Sequence, residues 1–214
     1  MAILKFPYLK DLKSDNPEGI IQKLVKSGTK FPIDRINWPE YPYKPQVEVC
    51  AGFSDEHLWL HYLVKEDYIR AEGKKDQDPV WQDTCVEFFV QVGDDYRNFE
   101  FNCIGFCLSA IGPTRNGRKS MEKDKLSRII RYPSLNPGNP PSEGSQCDWT
   151  LTVGIPLDLI GLDSGKKFRC NFFKCGDKTK IPHFVTWAPV DSPAPDFHIP
   201  EFFGEVELGV VGEW

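Results

Sequence analysis

Apolar and polar residues alternate with a period of two over most of the chain beyond residue 46. Residues 57–66 place Leu58, Leu60, Tyr62 and Val64 on one face and Trp59, His61 and Leu63 on the other, which predicts a strand covered on both sides. Residues 84–92 and 96–104 form the clearest predicted hairpin, with its turn at residues 93–95. Further strands are predicted at residues 148–155, 168–174, 183–187 and 205–208.

Helical periodicity is confined to short segments. Residues 17–26 carry apolar side chains at helical spacing, and Asn16 stands where an N-cap residue would. Residues 156–160 predict a short helical turn after a strand. Residues 113–147 are first basic and polar and then rich in Pro, Gly and Asn, which predicts a long loop excursion that contains a short strand at most.

Seven to nine strands with little helix predict an all-β fold. We expect an antiparallel β-sandwich of two sheets, of the jelly-roll or immunoglobulin-like kind, with short helical turns and one long loop. Residues 33–211 are predicted to form this single domain. Residues 1–32 are predicted to be an N-terminal extension that packs on it.

Composition narrows the class of protein further. The 214 residues are 40% hydrophobic and carry a formal net charge of −5, whereas general nucleic-acid binders are more usually basic. No stretch approaches the ~20 apolar residues of a membrane-spanning helix. The first residues show no basic segment followed by an apolar core, so we expect a cytoplasmic protein, or a secreted one if a leader precedes this chain.

The seven cysteines lie mostly inside apolar runs, and no two of them have CxxC spacing. Zinc sites usually show clustered ligands, so the sequence predicts reduced, buried cysteines, no disulfide and no metal site. A structural calcium ion is conceivable at acidic loops such as the one that contains Asp94 and Asp95, but no EF-hand-like pattern supports such a site. We therefore expect no cofactor.

The predicted hairpin presents one polar face. Either of two tight turns puts the same residues on that face: Cys85, Glu87, Phe89, Gln91, Asn98, Glu100 and Asn102. A solvated outer face would explain this pattern. The alternative is a binding surface, because the neighbouring carboxylates of Glu87 and Glu100 repel each other unless water, a cation or a ligand separates them.

Two tryptophans and a histidine lie outside the alternating strands. Trp81 precedes the hairpin in a polar loop, where it is either a lid over the core or a platform on which the apolar face of a sugar ring stacks. Trp187, at the end of a predicted strand, is the second such candidate. His198 either fixes a loop or joins the rim of a ligand site. Lys174 is expected to face solvent, within reach of the same site.

Five segments carry a resemblance to a known family: residues 37–45, 81–89, 99–102, 186–189 and 196–204. They resemble the family 9-like carbohydrate-binding proteins, a group of single-domain bacterial proteins related to the family 9 carbohydrate-binding modules of xylanases. The likeness covers residues 33–208. It implies a β-sandwich and a non-catalytic sugar-binding role.

In those modules two tryptophans hold a terminal sugar, and the resemblance places these at Trp81 and Trp187, with the carboxylate of Glu87 beneath. This chain departs from the modules at Glu100, where they have a basic residue, and upstream of Trp187, where it has Phe184 or His183 instead of asparagine. The resemblance and the polar face together give these candidate ligand-binding residues, and no catalytic ones: Trp81, Trp187, Glu87, Asn102, Glu100, Gln91 and His198.

The predicted function is non-catalytic binding of a mono- or oligosaccharide by a monomer or weak dimer. A glycoside hydrolase is one alternative, because Glu87 and Glu100 could be its paired carboxylates, although no GxSxG or HExxH signature occurs. A sandwich that binds a redox cofactor is the other alternative. Haem would need His or Met ligands, and Met1 and Met121 are the only methionines.

Overall fold

A computed structural model describes residues 3–210 of the chain. Within that range there are fourteen strands: β1 (Leu4–Phe6), β2 (Thr29–Pro32), β3 (Arg35–Ile36), β4 (Gln46–Phe53), β5 (His57–Glu66), β6 (Cys85–Val92), β7 (Asp95–Asn102), β8 (Cys107–Gly112), β9 (Lys119–Ser120), β10 (Ile130–Pro133), β11 (Cys147–Pro156), β12 (Lys167–Cys175), β13 (Phe184–Thr186) and β14 (Gly204–Leu208). The helices are α1 (Pro17–Ser27), α2 (Lys123–Leu126) and α3 (Leu157–Ile160), with 3₁₀ turns at Val80–Gln82 and Pro200–Phe202. None of these helices has the length and apolar character that crossing a bilayer requires.

The strands form two sheets that pack face to face. The large sheet has the order β1-β14-β12-β6-β7-β8-β9, and β13 joins it through β12 and carries β3. The small sheet has the order β10-β11-β5-β4-β2. Apart from the parallel pair of β1 and β14, the strand pairs within both sheets are antiparallel. The predicted antiparallel β-sandwich is therefore confirmed.

The main core lies between the sheets. Leu60 and Tyr62 reach it from the small sheet, and Phe88, Phe99 and Phe172 reach it from the large sheet. All five side chains are fully buried. Because successive residues of a strand point to opposite faces, the period of two seen in the sequence sends one set inward and the other outward.

The N-terminal residues, predicted as an extension, contribute strands to both sheets. β1 pairs with β14 at an edge of the large sheet, and β2 pairs with β4 at an edge of the small one. Between them α1 begins after Asn16, whose Oδ1 accepts a hydrogen bond from the Gly19 amide at 3.0 Å. Ile20 and Leu24 of α1 pack with Trp59 on the outer face of the small sheet.

The predicted hairpin is confirmed as β6 and β7, with Glu87 opposite Glu100. That register corresponds to the tight turn at residues 93–94, where Gly93 adopts the left-handed φ of 63° that favours glycine. The predicted excursion at residues 113–147 is more regular than a single loop. Its β9 extends the large sheet beside β8, and its β10 extends the small sheet beside β11.

The outer face of the large sheet is mostly covered rather than solvated. Phe89, Tyr96 and Phe173 on that face are fully buried beneath residues of the C-terminal segment 190–203 and Trp38. Phe197 of that segment stacks on Phe173 with ring centroids 4.1 Å apart. Beside this third layer an opening remains over the middle of β6, β7 and β12.

Candidate functional site

The opening is a pocket of about 290 Å³, called the outer pocket below, near the lower end of the range for ligand sites. Its floor is formed by residues of the large sheet, and its walls come from three loops. The lining residues are Trp81, Glu87, Glu100, Leu108, Arg115, Asn116, Arg118, Cys175, Asp177, Phe184, Pro195, Asp196, Phe197 and His198.

Two carboxyl groups dominate the floor of the outer pocket. Glu87 and Glu100 pair directly across β6 and β7 and are only 2% and 3% exposed. Asn98 Nδ2 donates to Glu100 Oε1 at 2.9 Å, and Arg118 Nη1 donates to Asn98 Oδ1 at 2.7 Å. Among the described residues Glu100 Oε2 has no hydrogen-bond partner, although it is buried. The floor therefore offers an uncommitted acceptor to whatever enters the pocket.

Burial sets the ionisation of this floor. Desolvation, and then the facing carboxyl of Glu100, raise the pKa of Glu87 well above its usual value. Desolvation also raises the pKa of Glu100 to about 7, and the positive charge of Arg118 opposes that rise. Asp177 in the wall has a pKa raised to about 6, again mainly by desolvation. Near neutral pH the floor thus offers a protonated carboxyl group at Glu87 and a partly ionised one at Glu100, which together donate and accept hydrogen bonds.

The rim combines an indole with charged and aromatic groups. Trp81 is 36% exposed and is the middle residue of the 3₁₀ turn that precedes β6. His198 Nδ1 lies 3.0 Å from the Tyr96 hydroxyl, and desolvation lowers the pKa of His198 to about 3, so this imidazole is neutral. Arg115 Nη1 lies 3.5 Å from Asp196 Oδ1 on the same rim.

The structure brings together four of the seven predicted site residues: Trp81, Glu87, Glu100 and His198. Trp187, Asn102 and Gln91 do not line the outer pocket.

Trp187 lies in the main core, so the prediction that it faces Trp81 across a cleft is wrong. It is 6% exposed and packs against Phe31 and Phe172, with ring centroids 5.9 and 5.7 Å away. The reason is strand parity. Thr186 pairs with Phe173 on the outer face, so the next residue points inward, as Phe172 does.

Asn102 is fully buried and holds loops together instead of flooring the pocket. Its Nδ2 donates to Asp83 Oδ2 at 3.0 Å, and its Oδ1 accepts from the Phe106 amide at 2.9 Å. Gln91 lies near the far end of β6, where its Nε2 donates to the Gly93 carbonyl at 3.3 Å. Both side-chain amides therefore form hydrogen bonds with the backbone or with a loop carboxylate, and neither contributes to the outer pocket.

The prediction that Lys174 faces solvent is also wrong. Its ammonium group is fully buried, 3.2 Å from Glu66 Oε2 and 2.8 Å from His183 Nε2. Lys174 alternates with Phe173 and Cys175 along β12, so it points to the opposite face of the sheet from the outer pocket. The ion pair with Glu66 compensates for the burial of its charge.

Several pocket residues escaped the sequence analysis. Arg115 and Arg118 belong to the basic stretch at the start of residues 113–147, and Phe184 and Asp177 flank the end of β12. The basic stretch was the one available signal, since it directly follows a strand of the large sheet. The two arginines of this stretch bring positive charge to the outer pocket.

Comparisons with known proteins agree with this architecture. A carbohydrate-binding protein candidate from Bacteroides uniformis, whose crystal structure is known, is 35% identical to this chain, with a TM-score of 0.88 over 96% of this chain and 98% of its own. A family 9 carbohydrate-binding module from Caldicellulosiruptor kristjanssonii in complex with glucose is 12% identical, with a TM-score of 0.63 over 100% of this chain and 98% of its own. The same kind of module in complex with cellotriose gives 12% identity and a TM-score of 0.62, over 99% and 96% of the two chains.

No curated protein is significantly similar to the chain. The family model for carbohydrate-binding family 9 matches residues 20–208, which include every described strand except β1 and all residues that line the outer pocket. With this match over most of its length, the chain belongs to carbohydrate-binding family 9.

Proposed function

We propose that the protein binds a terminal sugar residue of a mono- or oligosaccharide in the outer pocket, without catalysing a reaction on it. The observation that carries this proposal is the position of Trp81. An exposed indole stands over a floor of buried polar groups, one of which, Glu100 Oε2, has no partner among the described residues. An apolar ring face beside polar hydroxyls is the chemistry that such a surface fits.

The sugar stacks on one tryptophan rather than between two. Trp187 is part of the main core, and Phe184, Phe197 and His198 supply the other rings around the pocket. Stacking on Trp81 contributes about 1–2 kcal/mol, by analogy with other aromatic contacts. Hydrogen bonds to Glu87 and Glu100 add to this and orient the ring. We expect affinity in the micromolar-to-millimolar range.

Glycoside hydrolysis is the second candidate, because Glu87 and Glu100 lie directly opposite each other on neighbouring strands. Cross-strand neighbours can approach the ~5–5.5 Å separation that retaining glycosidases use. A retaining enzyme also needs one carboxylate ionised as the nucleophile, and burial raises the pKa of both groups, which disfavours that ionised form. The raised pKa values therefore favour hydrogen bonding to the ligand over nucleophilic attack on it.

The test is calorimetric titration with a panel of mono- and oligosaccharides that includes glucose and cellotriose, the ligands of the structural relatives. Tryptophan fluorescence provides a second readout, since Trp81 is exposed. Trp81→Ala should abolish detectable binding. Gln91→Ala is the control, because Gln91 is on the same strand as Glu87 but outside the outer pocket.

Two outcomes would contradict the proposal. Saccharide binding that is unchanged in Trp81→Ala would remove the outer pocket as the site. Turnover of any aryl glycoside that is lost in both Glu87→Gln and Glu100→Gln would replace binding by hydrolysis.

A further inference from the structure

Two cysteines and a glutamate meet at the floor of the outer pocket. Cys85 on β6 pairs directly with Cys175 on β12, and Glu87 is two residues further along β6 on the same face. Cys175 Sγ lies 3.1 Å from Glu87 Oε1, and Cys85 Sγ lies 3.9 Å from the same oxygen. The three donor atoms all lie within 4.8 Å of one another. Strand pairing thus assembles a ligand set that spacing along the chain does not show.

The surroundings of this set lack a conventional partner for a buried carboxylate. In residues 3–210 the hydrogen bonds to the Glu87 side chain come from the two thiols, which are weak donors. Glu100 faces Glu87 from β7, and its buried Oε2 has no partner in the same range. Buried carboxylates are normally paired with a cation or coordinate a metal, and among the described residues no cationic side chain hydrogen-bonds to Glu87.

The donor geometry fits a tetrahedral metal. Bond lengths of about 2.3 Å to sulfur and 2.0–2.2 Å to oxygen put tetrahedral donors about 3.6 Å apart for a sulfur–oxygen pair and about 3.8 Å apart for two sulfurs. The two sulfur–oxygen distances, 3.1 and 3.9 Å, lie on either side of that value. Two thiolates with one carboxylate favour zinc over calcium or magnesium, which take oxygen ligands.

We propose that Cys85, Glu87 and Cys175 bind one Zn²⁺ at the floor of the outer pocket. Glu87 and Cys175 line the pocket, so the fourth coordination position faces its cavity. Sites with three protein ligands leave that position to water or to an oxygen of a ligand. Metal binding does not require a sugar, so this proposal and the proposed carbohydrate binding can fail separately.

The experiment uses the full chain without a histidine tag, freed of metal with a chelator and kept reduced with a phosphine. Titration with Co²⁺ should give visible bands of tetrahedral cobalt and a near-ultraviolet thiolate charge-transfer band that saturate at one equivalent per chain. Zn²⁺ should then displace the cobalt and raise the melting temperature of the metal-free protein. These spectra are read on the unmodified chain, so they do not depend on whether a variant folds.

Variants assign the ligands. Cys175→Ala and Cys85→Ala should each weaken zinc binding by more than about 100-fold, since losing only an outer-shell partner of a metal ligand already costs about 10–100-fold. Glu87→Gln should also weaken it while keeping both thiolate contributions to the charge-transfer band. Cys50→Ala is the matched control, because Cys50 is equally buried but lies beneath α1 on the small sheet.

Three results would overturn the zinc site. The first is no tetrahedral cobalt spectrum at one equivalent in the reduced, unmodified chain. The second is equal loss of binding in Cys50→Ala and Cys175→Ala. The third is a Cys85–Cys175 disulfide that accounts for both thiols in protein purified without reductant and that re-forms after reduction in the presence of Zn²⁺.

Discussion

Replacing Trp187 with alanine should destabilise the fold and leave the sugar-binding surface intact. The indole is 6% exposed and packs between Phe31 of the small sheet and Phe172 of the large sheet. It therefore bridges the two layers of the sandwich. Trp81 offers the opposite case, since more than a third of its surface is exposed and its carbonyl oxygen, not its ring, accepts from the Asp177 amide.

The magnitude follows from the area that the indole buries. A buried aromatic side chain removes about 150–250 Å² from water, which at ~25 cal/mol per Å² corresponds to about 4–6 kcal/mol. An alanine side chain still buries part of this area, and Trp→Ala changes in protein cores cost about 3–5 kcal/mol. In a domain of this size each kcal/mol lowers the melting temperature by about 2–4 °C, so Trp187→Ala should lower it by roughly 6–20 °C.

The assay is urea unfolding at 25 °C, followed by circular dichroism, for the unmodified chain, Trp187→Ala and Trp81→Ala. We expect Trp81→Ala to cost less than about 1 kcal/mol, as for other changes outside the core. Saccharide titrations at low temperature, where Trp187→Ala remains folded, should give unchanged affinity. A stable Trp187→Ala protein that no longer binds sugar would refute this reasoning, because it would mean that the indole contacts the ligand.

Three further predictions concern the sandwich itself. Lys174→Met should lower the free energy of unfolding by about 3–5 kcal/mol, because it leaves Glu66 buried without its cation. In urea unfolding, the double variant Lys174→Met/Glu66→Gln should regain much of the free energy that the single variant loses. His61 has a pKa lowered to about 4 by desolvation, so as pH falls from 6.5 to 4 only the unfolded chain takes up its proton. Stability should therefore fall over that window, by up to about 1.4 kcal/mol per pH unit for this residue, and His61→Asn should reduce the slope seen in urea unfolding at several pH values. Gly154→Ala should cost about 1–3 kcal/mol, because a Cβ there would meet the Trp59 ring at 2.6 Å; an unchanged melting temperature would contradict this.

The long strands were predictable from the sequence, and the short ones were not. β5, β6 and β7 have eight to ten residues each, enough for alternation to show which face is buried. β1 and β3 have only three and two residues, and their pairing depends on partners far along the chain. No local pattern distinguishes such edge strands from loops.

The candidate site was likewise predictable where it lies on long strands and not where it depends on short strands or on distant pairing. Parity along one hairpin correctly placed Glu87 and Glu100 on a single face, because either tight turn leaves that parity unchanged. Parity along the chain does not orient Trp187, because Trp187 follows the three-residue β13 and takes its orientation from the pairing of β13 with β12. The meeting of Cys85 and Cys175 also depends on the long-range pairing of β6 with β12.

The origin of the pocket explains why family membership alone does not identify the ligand. Its floor belongs to strands that the main core holds in place, and a core can be conserved in shape at 12% identity, as the structural relatives illustrate. Its walls come from loops, which supply Arg115, Arg118, Asp177 and His198. Because loops vary while the scaffold that carries them persists, the sandwich can keep its shape while the groups that contact a ligand change. The sugar that this protein selects should therefore depend on these wall residues. We expect Arg118→Ala to change the order of affinities within a saccharide panel while having only a small effect on the free energy of unfolding.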